Sequence, residues 1–231
     1  MSSHDWLLGI VAVLPGIAIS VTVFYMDRYE HEPWYALAGC FVLGAVATVP
    51  AVAVEGWAFP IIRASVPGLG RSVLLAFGAI ALNEEIWKAV AVLLGTWYWR
   101  WFNEPLDGMV YAILTAMGFA TMENFAYADR FGLEAVLLRA LTAVPAHLLF
   151  AAVFGFYLGL ARFRPVQAPW LLLKGLLMAA LLHGLYDMLI LQRWSEWLLV
   201  LGTSGIYLGV YYSSKLFAMH LDRSPFKKTK D

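Results

Sequence analysis

Within stretches that otherwise read as hydrocarbon-soluble helix, the sequence carries groups able to do chemistry. Glu84, Glu85 and Lys88 lie in "ALNEEIWKAV", Glu123 and Asn124 in "GFATMENFAY", Arg139 and His147 further on, and His183 and Asp187 in "HGLYD". Carboxylates and imidazoles move protons near neutral pH, activate water and ligate metals. Each charge at the centre of a membrane helix costs roughly 2.5 to 3.5 kcal/mol even on a lenient insertion scale, so these groups must face one another or a wet cavity.

Their spacing supports convergence. Glu84 and Lys88 are four apart, on one helical face and in the favourable acid-first order, so Lys88 is predicted to neutralise Glu84 while Glu85 turns about 100° away. His183 and Asp187 are also four apart, which predicts a carboxylate that fixes the imidazole tautomer. His147 falls about fourteen residues into its helix from one end and His183 about fourteen from the other, so both are expected near mid-membrane. Taken singly, Arg139, Asn124 or Tyr127 reads as an interhelical hydrogen-bond partner. Glu84, Glu85, Glu123, His147, His183 and Asp187, spread over four successive helices, exceed what packing requires.

The elements that must hold them follow from composition. Of 231 residues, 61% are hydrophobic and 14% charged, and mean hydropathy is +0.71. That is the composition of an integral membrane protein. Apolar runs long enough to span fall near 5–26, 35–60, 72–98, 107–128, 133–161, 169–191 and 196–217, separated by "DRYEHEP", "VPGLGR", "RWFNEPLDG", "ADRFG", "RFRPVQAP" and "QRWSE". The expectation is an all-α, polytopic bundle of about seven transmembrane helices, one domain over 1–217 with a basic tail over 218–231. "MSSHDW" lacks a basic region and the apolar run continues to about Met26, so the first segment reads as a span and not as a signal peptide.

Basic residues set an expected orientation. With the C-terminus inside, Arg28, Arg100, Arg162, Arg164, Lys174, Lys215, Arg223, Lys227, Lys228 and Lys230 fall on the cytoplasmic side, against Arg63, Arg71, Arg130, Arg139 and Arg193 opposite. The N-terminus is then outside. Trp34, Trp97, Tyr98, Trp99, Trp101, Trp170, Trp194 and Trp197 gather at the expected interfaces as an aromatic belt. A net charge of zero with basic residues clustered only in the tail excludes nucleic acid as a partner and assigns that tail to anionic headgroups. Cys40 is the single cysteine, so no intramolecular disulfide or cysteine-based zinc site can form.

Several chemistries fit such a polar core. A zinc-type set can be drawn from Glu85, Glu123, His147, His183 and Asp187, although no HExxH is present. "GTSG" at 202–205 has a rhomboid-like serine, but no later span supplies a histidine; "YD" at 186–187 lacks a second aspartate in a GxGD setting. Buried Glu, Lys and His also serve proton-coupled carriers, against which no inverted repeat is present. A non-catalytic scaffold that keeps the polar core for folding is the remaining class.

The motifs resemble a known family. "EEIWK" matches an EExxK motif, "GFATMENFAY" GFxxxEN, "HLLFAAVFGFYLG" a histidine-led helix with glycines, and "HGLYD" HxxxD, while "DRYEHEPW" is similar to the same family's first loop. In this order they resemble the PrsW family of intramembrane proteases, related to the CAAX prenyl endopeptidases. The resemblance implies peptide-bond hydrolysis in membrane-anchored regulators such as anti-sigma factors, in the cell membrane. It implies Glu84 as general base, Glu85 or Lys88 as its electrostatic partner, and His147 and His183 polarising the scissile carbonyl or stabilising the oxyanion. Asp187 would orient His183, and Glu123 with Asn124 would complete the site. It favours no cofactor, with zinc as the alternative. Glu123 stands where the CAAX enzymes have a histidine, which argues against prenyl-protein substrates.

Overall fold

The computed structural model describes residues 3–191 and 195–227; Arg193, Trp194, Lys228 and Lys230 lie outside that description. All regular structure among the described residues is helical: α1 (Ser3–Met26), α2 (Trp34–Ser65), a short α3 (Gly68–Val73), a π-helical segment (Leu74–Leu82), α4 (Asn83–Thr96), α5 (Pro105–Leu141), α6 (Ala143–Arg162), α7 (Ala168–Leu191) and α8 (Glu196–Asp222). With α3, the π-segment and α4 running on as one rod, the bundle has the seven helical units expected. Five helices, α1, α2, α5, α6 and α7, are long and apolar enough to cross a membrane.

The centre of the bundle is α5, buried at every position from 106 to 121 and packed against α1, α2 and α6. Small residues permit this closeness, since lipid supplies no hydrophobic drive between helices and packing must hold them. A methyl added at Gly44 of α2 would overlap the Thr115 carbonyl, and one at Gly118 of α5 the Phe41 carbonyl. On the other flank Gly155 and Gly159 of α6 meet the backbone of α5 at Gly108 and Pro105.

Two boundaries differ from expectation. The run 133–161 is not one helix: Gly132 has φ +76°, Thr142 leaves the helical region, and α6 begins only at Ala143. His147 therefore sits in the second turn of α6. The run 72–98 is interrupted by the π-helical turns, whose wider bonding pattern is uncommon and recurs at functional sites. That segment ends immediately before Asn83 and the acid pair.

Candidate active site

The bundle brings the intramembrane polar residues to one level. His147 lies fifteen residues from Arg162 at the end of α6, and His183 fifteen from Ala168 at the start of α7, at the same end of the bundle. At 1.5 Å per residue both are about 22 Å in. Glu84, Glu85 and Lys88 come from the start of α4 and Glu123 from α5. Asn83 anchors the acid pair to α2 by donating to the Ala51 carbonyl (2.9 Å). Glu84, Glu85, Lys88, His147 and His183 are each no more than 5% exposed. Glu123 and Asp187 are more open, with side chains 20% and 14% exposed.

Contacts link these groups into one network. Lys88 Nζ donates to Glu85 Oε1 (2.5 Å) and to His147 Nδ1 (3.2 Å), and lies 3.9 Å from Glu84 Oε2. An ammonium only donates, so His147 accepts at Nδ1 and carries its proton on Nε2, which stands 2.7 Å from Glu123 Oε2. His183 Nδ1 lies 2.9 Å from Glu85 Oε1, while its Nε2 faces Glu84 Oε2 (3.8 Å) and Asp187 Oδ2 (3.6 Å). The two imidazoles meet edge to face at 5.5 Å, and Phe150 stacks on His183 at 4.7 Å.

Three expected pairings are corrected by this geometry. Lys88 is partnered first by Glu85, three residues away, and not by Glu84; the i,i+3 approach is the shorter one here. Asp187 is beyond hydrogen-bond reach of His183, whose other nitrogen is taken by Glu85. The two adjacent acids do not diverge, because both flank the same imidazole. Asn124 is set aside from the centre: it donates to the Ala12 carbonyl of α1 (3.1 Å) and accepts from Arg139 Nε (2.8 Å).

Two residues of the network were not singled out for it by sequence reasoning. Arg139 clasps Glu123 (3.2 Å) and Asn124, and its guanidinium covers the Tyr127 ring at 4.2 Å. Its place near a helix start made it read as packing; the bend at Gly132 and Thr142 returns it to the site. Glu55 of α2, half-buried, faces Glu123 and Asp187. The only signal was an acid in "AVAVEGWAFP".

With Glu85 held by Lys88 and Glu123 by Arg139, the carboxylate oxygens of the site left buried without a hydrogen bond among the described residues are Glu84 Oε2 and Asp187 Oδ2. Such a carboxylate can take a proton from water. One atom each of Glu84, Glu123 and His147 also lie within 4.8 Å of one another, a nitrogen and oxygen set able to hold a metal ion. This set contains Glu84 in place of Glu85, and neither His183 nor Asp187.

Comparison with known proteins identifies the family. Residues 32–218 match the family described as PrsW family intramembrane metalloprotease. The chain is 32% identical over 201 residues to Protease PrsW of Geobacillus kaustophilus, covering 86% of this chain and 83% of that protein. It is 34% identical over 188 residues to Protease PrsW of Bacillus subtilis, covering 80% and 83%. Protease PrsW of Clostridioides difficile is 29% identical over 204 residues. No solved structure matches the chain.

Proposed function

The chain belongs to the PrsW family of intramembrane proteases, and from that premise we propose that it hydrolyses peptide bonds of membrane-anchored regulatory proteins with Glu84 accepting the proton of the attacking water. The observation that carries this is the orphaned Glu84 Oε2, buried 3.8 Å from His183 Nε2. A water bridging that gap would have an acceptor for its proton, and burial strengthens the electrostatics that hold it. Lys88 donates to Glu85, and Glu85 in turn holds His183 in orientation. His147, donating its Nε2 proton to Glu123, would hold that carboxylate beside the water, and Asp187 lies on the more exposed side of the site. Arg139 and Asn124 position Glu123.

The donor set fits a metal as well. Glu84, Glu123 and His147 would hold a zinc-type ion, and the ion would supply polarisation of the water and of the carbonyl. The remaining work stays with the chain: Lys88 holds Glu85, and Arg139 steadies Glu123.

The test is cleavage of a co-expressed membrane-anchored reporter by wild-type protein, Glu84→Gln and His147→Ala. Loss in both variants, with folding intact, is expected; full cleavage by Glu84→Gln would refute the assignment of the base. Metal analysis of the purified protein and cleavage after chelation separate the two chemistries. For topology, the basic excess at the α5 N-terminal end supports placing that end in the cytoplasm.

A further inference from the structure

In "GFATMENFAY", Glu123 and Asn124 join the polar network and Gly118 lets α5 approach α2, while Phe119 carries no polar atom and yet lies among the groups that do. It stands four residues before Glu123, so ring and carboxylate share one face of α5, a turn apart. Phe119 is 1% exposed and packs with Ala47 and Ala51 of α2 and with Trp87 and Ala91 of α4. The small alanines leave room for an aromatic side chain between the helices.

What the ring meets there is a charge. Lys88 Nζ lies over the face of Phe119, 5.0 Å from its centroid, and the His147 ring is 6.0 Å away. An ammonium has three N–H donors, and two of them go to Glu85 Oε1 (2.5 Å) and His147 Nδ1 (3.2 Å). Glu84 Oε2, at 3.9 Å, is beyond hydrogen-bond reach. The electron-rich face of a phenyl ring attracts a cation, most strongly where water is excluded. Lys88 is 5% exposed, so solvent does little to weaken the contact.

The place of that ammonium decides which acid it engages. Glu84 and Glu85 are adjacent, and the flexible lysine stem can serve either. The ring adds an attraction at the place where Glu85 and His147 are the partners of Nζ. A leucine or methionine would fill the space beside Ala47, Ala51 and Trp87, but would offer the ammonium no negative face. Packing alone does not require an aromatic ring at 119.

We propose that Phe119 is a positioning residue of the hydrolytic site: its ring face restrains the Lys88 ammonium on Glu85 and thereby keeps Glu84 free. The effect on cleavage rests on Glu84 being the base; the contact between ring and ammonium does not.

The test replaces Phe119 with mono-, di- and trifluorophenylalanine in the full chain by nonsense suppression. Each fluorine withdraws electron density from the ring face while the ring keeps nearly its size, so the cation is held less tightly with little change in packing. The readouts are kcat and KM for cleavage of the membrane-anchored reporter, and the melting temperature of the protein in detergent. The expected result is a stepwise fall in kcat at constant KM, reaching roughly tenfold with the trifluoro ring, and a melting temperature that falls in the same order. In Glu85→Gln/Lys88→Met, which has no ammonium under the ring, the melting temperature should be indifferent to fluorination. A kcat unchanged along the series, or an equal fall in melting temperature in the variant without Lys88, overturns the proposal. The two assignments fail separately: full cleavage by Glu84→Gln refutes the base, whereas the fluorinated series measured by melting temperature in Glu84→Gln still reports whether Phe119 holds Lys88.

Discussion

Lys88 Nζ sits 2.5 Å from Glu85 Oε1, and this pair, sealed between α4 and α6, divides the work of the two adjacent acids. Glu85 is committed to a cation and an imidazole, whereas Glu84 keeps an unpartnered oxygen. Breaking a buried pair by removing one partner costs about 3 to 5 kcal/mol, whereas removing both leaves no stranded charge. Glu85→Gln is therefore expected to lower the melting temperature and the yield of folded protein, and Glu85→Gln/Lys88→Met to restore much of both. Glu84→Gln is expected to leave stability nearly unchanged and to lower cleavage by roughly 10² to 10⁴. Equal losses of stability in the two single glutamine variants would contradict this division.

Arg139 holds Glu123 and Asn124 with different nitrogens of one planar fork. A lysine cannot reproduce that geometry. Arg139→Lys and Arg139→Ala should both reduce cleavage by roughly 10- to 100-fold, the scale seen when groups supporting a functional residue are lost. The loss should fall in kcat more than in KM if Arg139 positions Glu123 and does not bind substrate.

Helix α5 depends on backbone contact at Gly118 and Gly44. Gly118→Val forces a branched side chain into the Phe41 carbonyl. Overpacking typically costs about 1 to 3 kcal/mol. Protease resistance and monodispersity in detergent should both fall, while Gly78→Ala, where a methyl meets open space, should be silent.

The buried acids of the connection between α1 and α2 should make stability depend on pH. Burial first, and then Glu104, Glu32 and Glu30, push Asp27 up to about 7; burial, Glu30 and Glu104 push Glu32 up to about 7 against the help of Tyr111 and Asp107. Carboxyls raised on folding bind more protons in the folded state than in the unfolded one, so stability falls as pH rises from about 4 through about 7. The melting temperature should follow that course. A rise in stability across that window would contradict the shifts.

Topology can be read with single cysteines, because native Cys40 is fully buried. Tyr98→Cys, in the 97–104 turn, should label only from the cytoplasmic side, and Phe131→Cys, beside the Gly132 bend, only from outside. Labelling of both from one side would defeat the bundle's orientation.

The number of helical units and the membership of Glu84, Glu85, Lys88, Glu123, His147, His183 and Asp187 in one network were legible from apolar run length and helical spacing, whereas His147, expected about fourteen residues into its helix, stands in the second turn of α6. Pairing was not legible. Spacing four apart says that Glu84 can reach Lys88, but only the rotation of α4 against α6 and α7 decides that Glu85 arrives first. The approach of Arg139 to Glu123 was hidden for a related reason: the apolar run from 133 to 161 reads on across the bend at Thr142, although Pro145 in the first turn of α6 is a helix-start signal there. The acids of "DRYEHEP" and "FNEPLDG" looked like ordinary solvated connections, because burial of a loop leaves no periodicity to detect.

The π-helical turns before Asn83 have a consequence for the angular phase of the rod that carries the acids. Turns that take in more residues than an α-turn shift every later side chain around the axis, so the direction faced by Glu84 and Glu85 is inherited from Leu74–Leu82. Deleting Gly78, on the outward side of that segment, would swing both acids together by about 100° and move Lys88 with them. The ion pair would survive within its own helix while the histidines of α6 and α7 lost their counterparts.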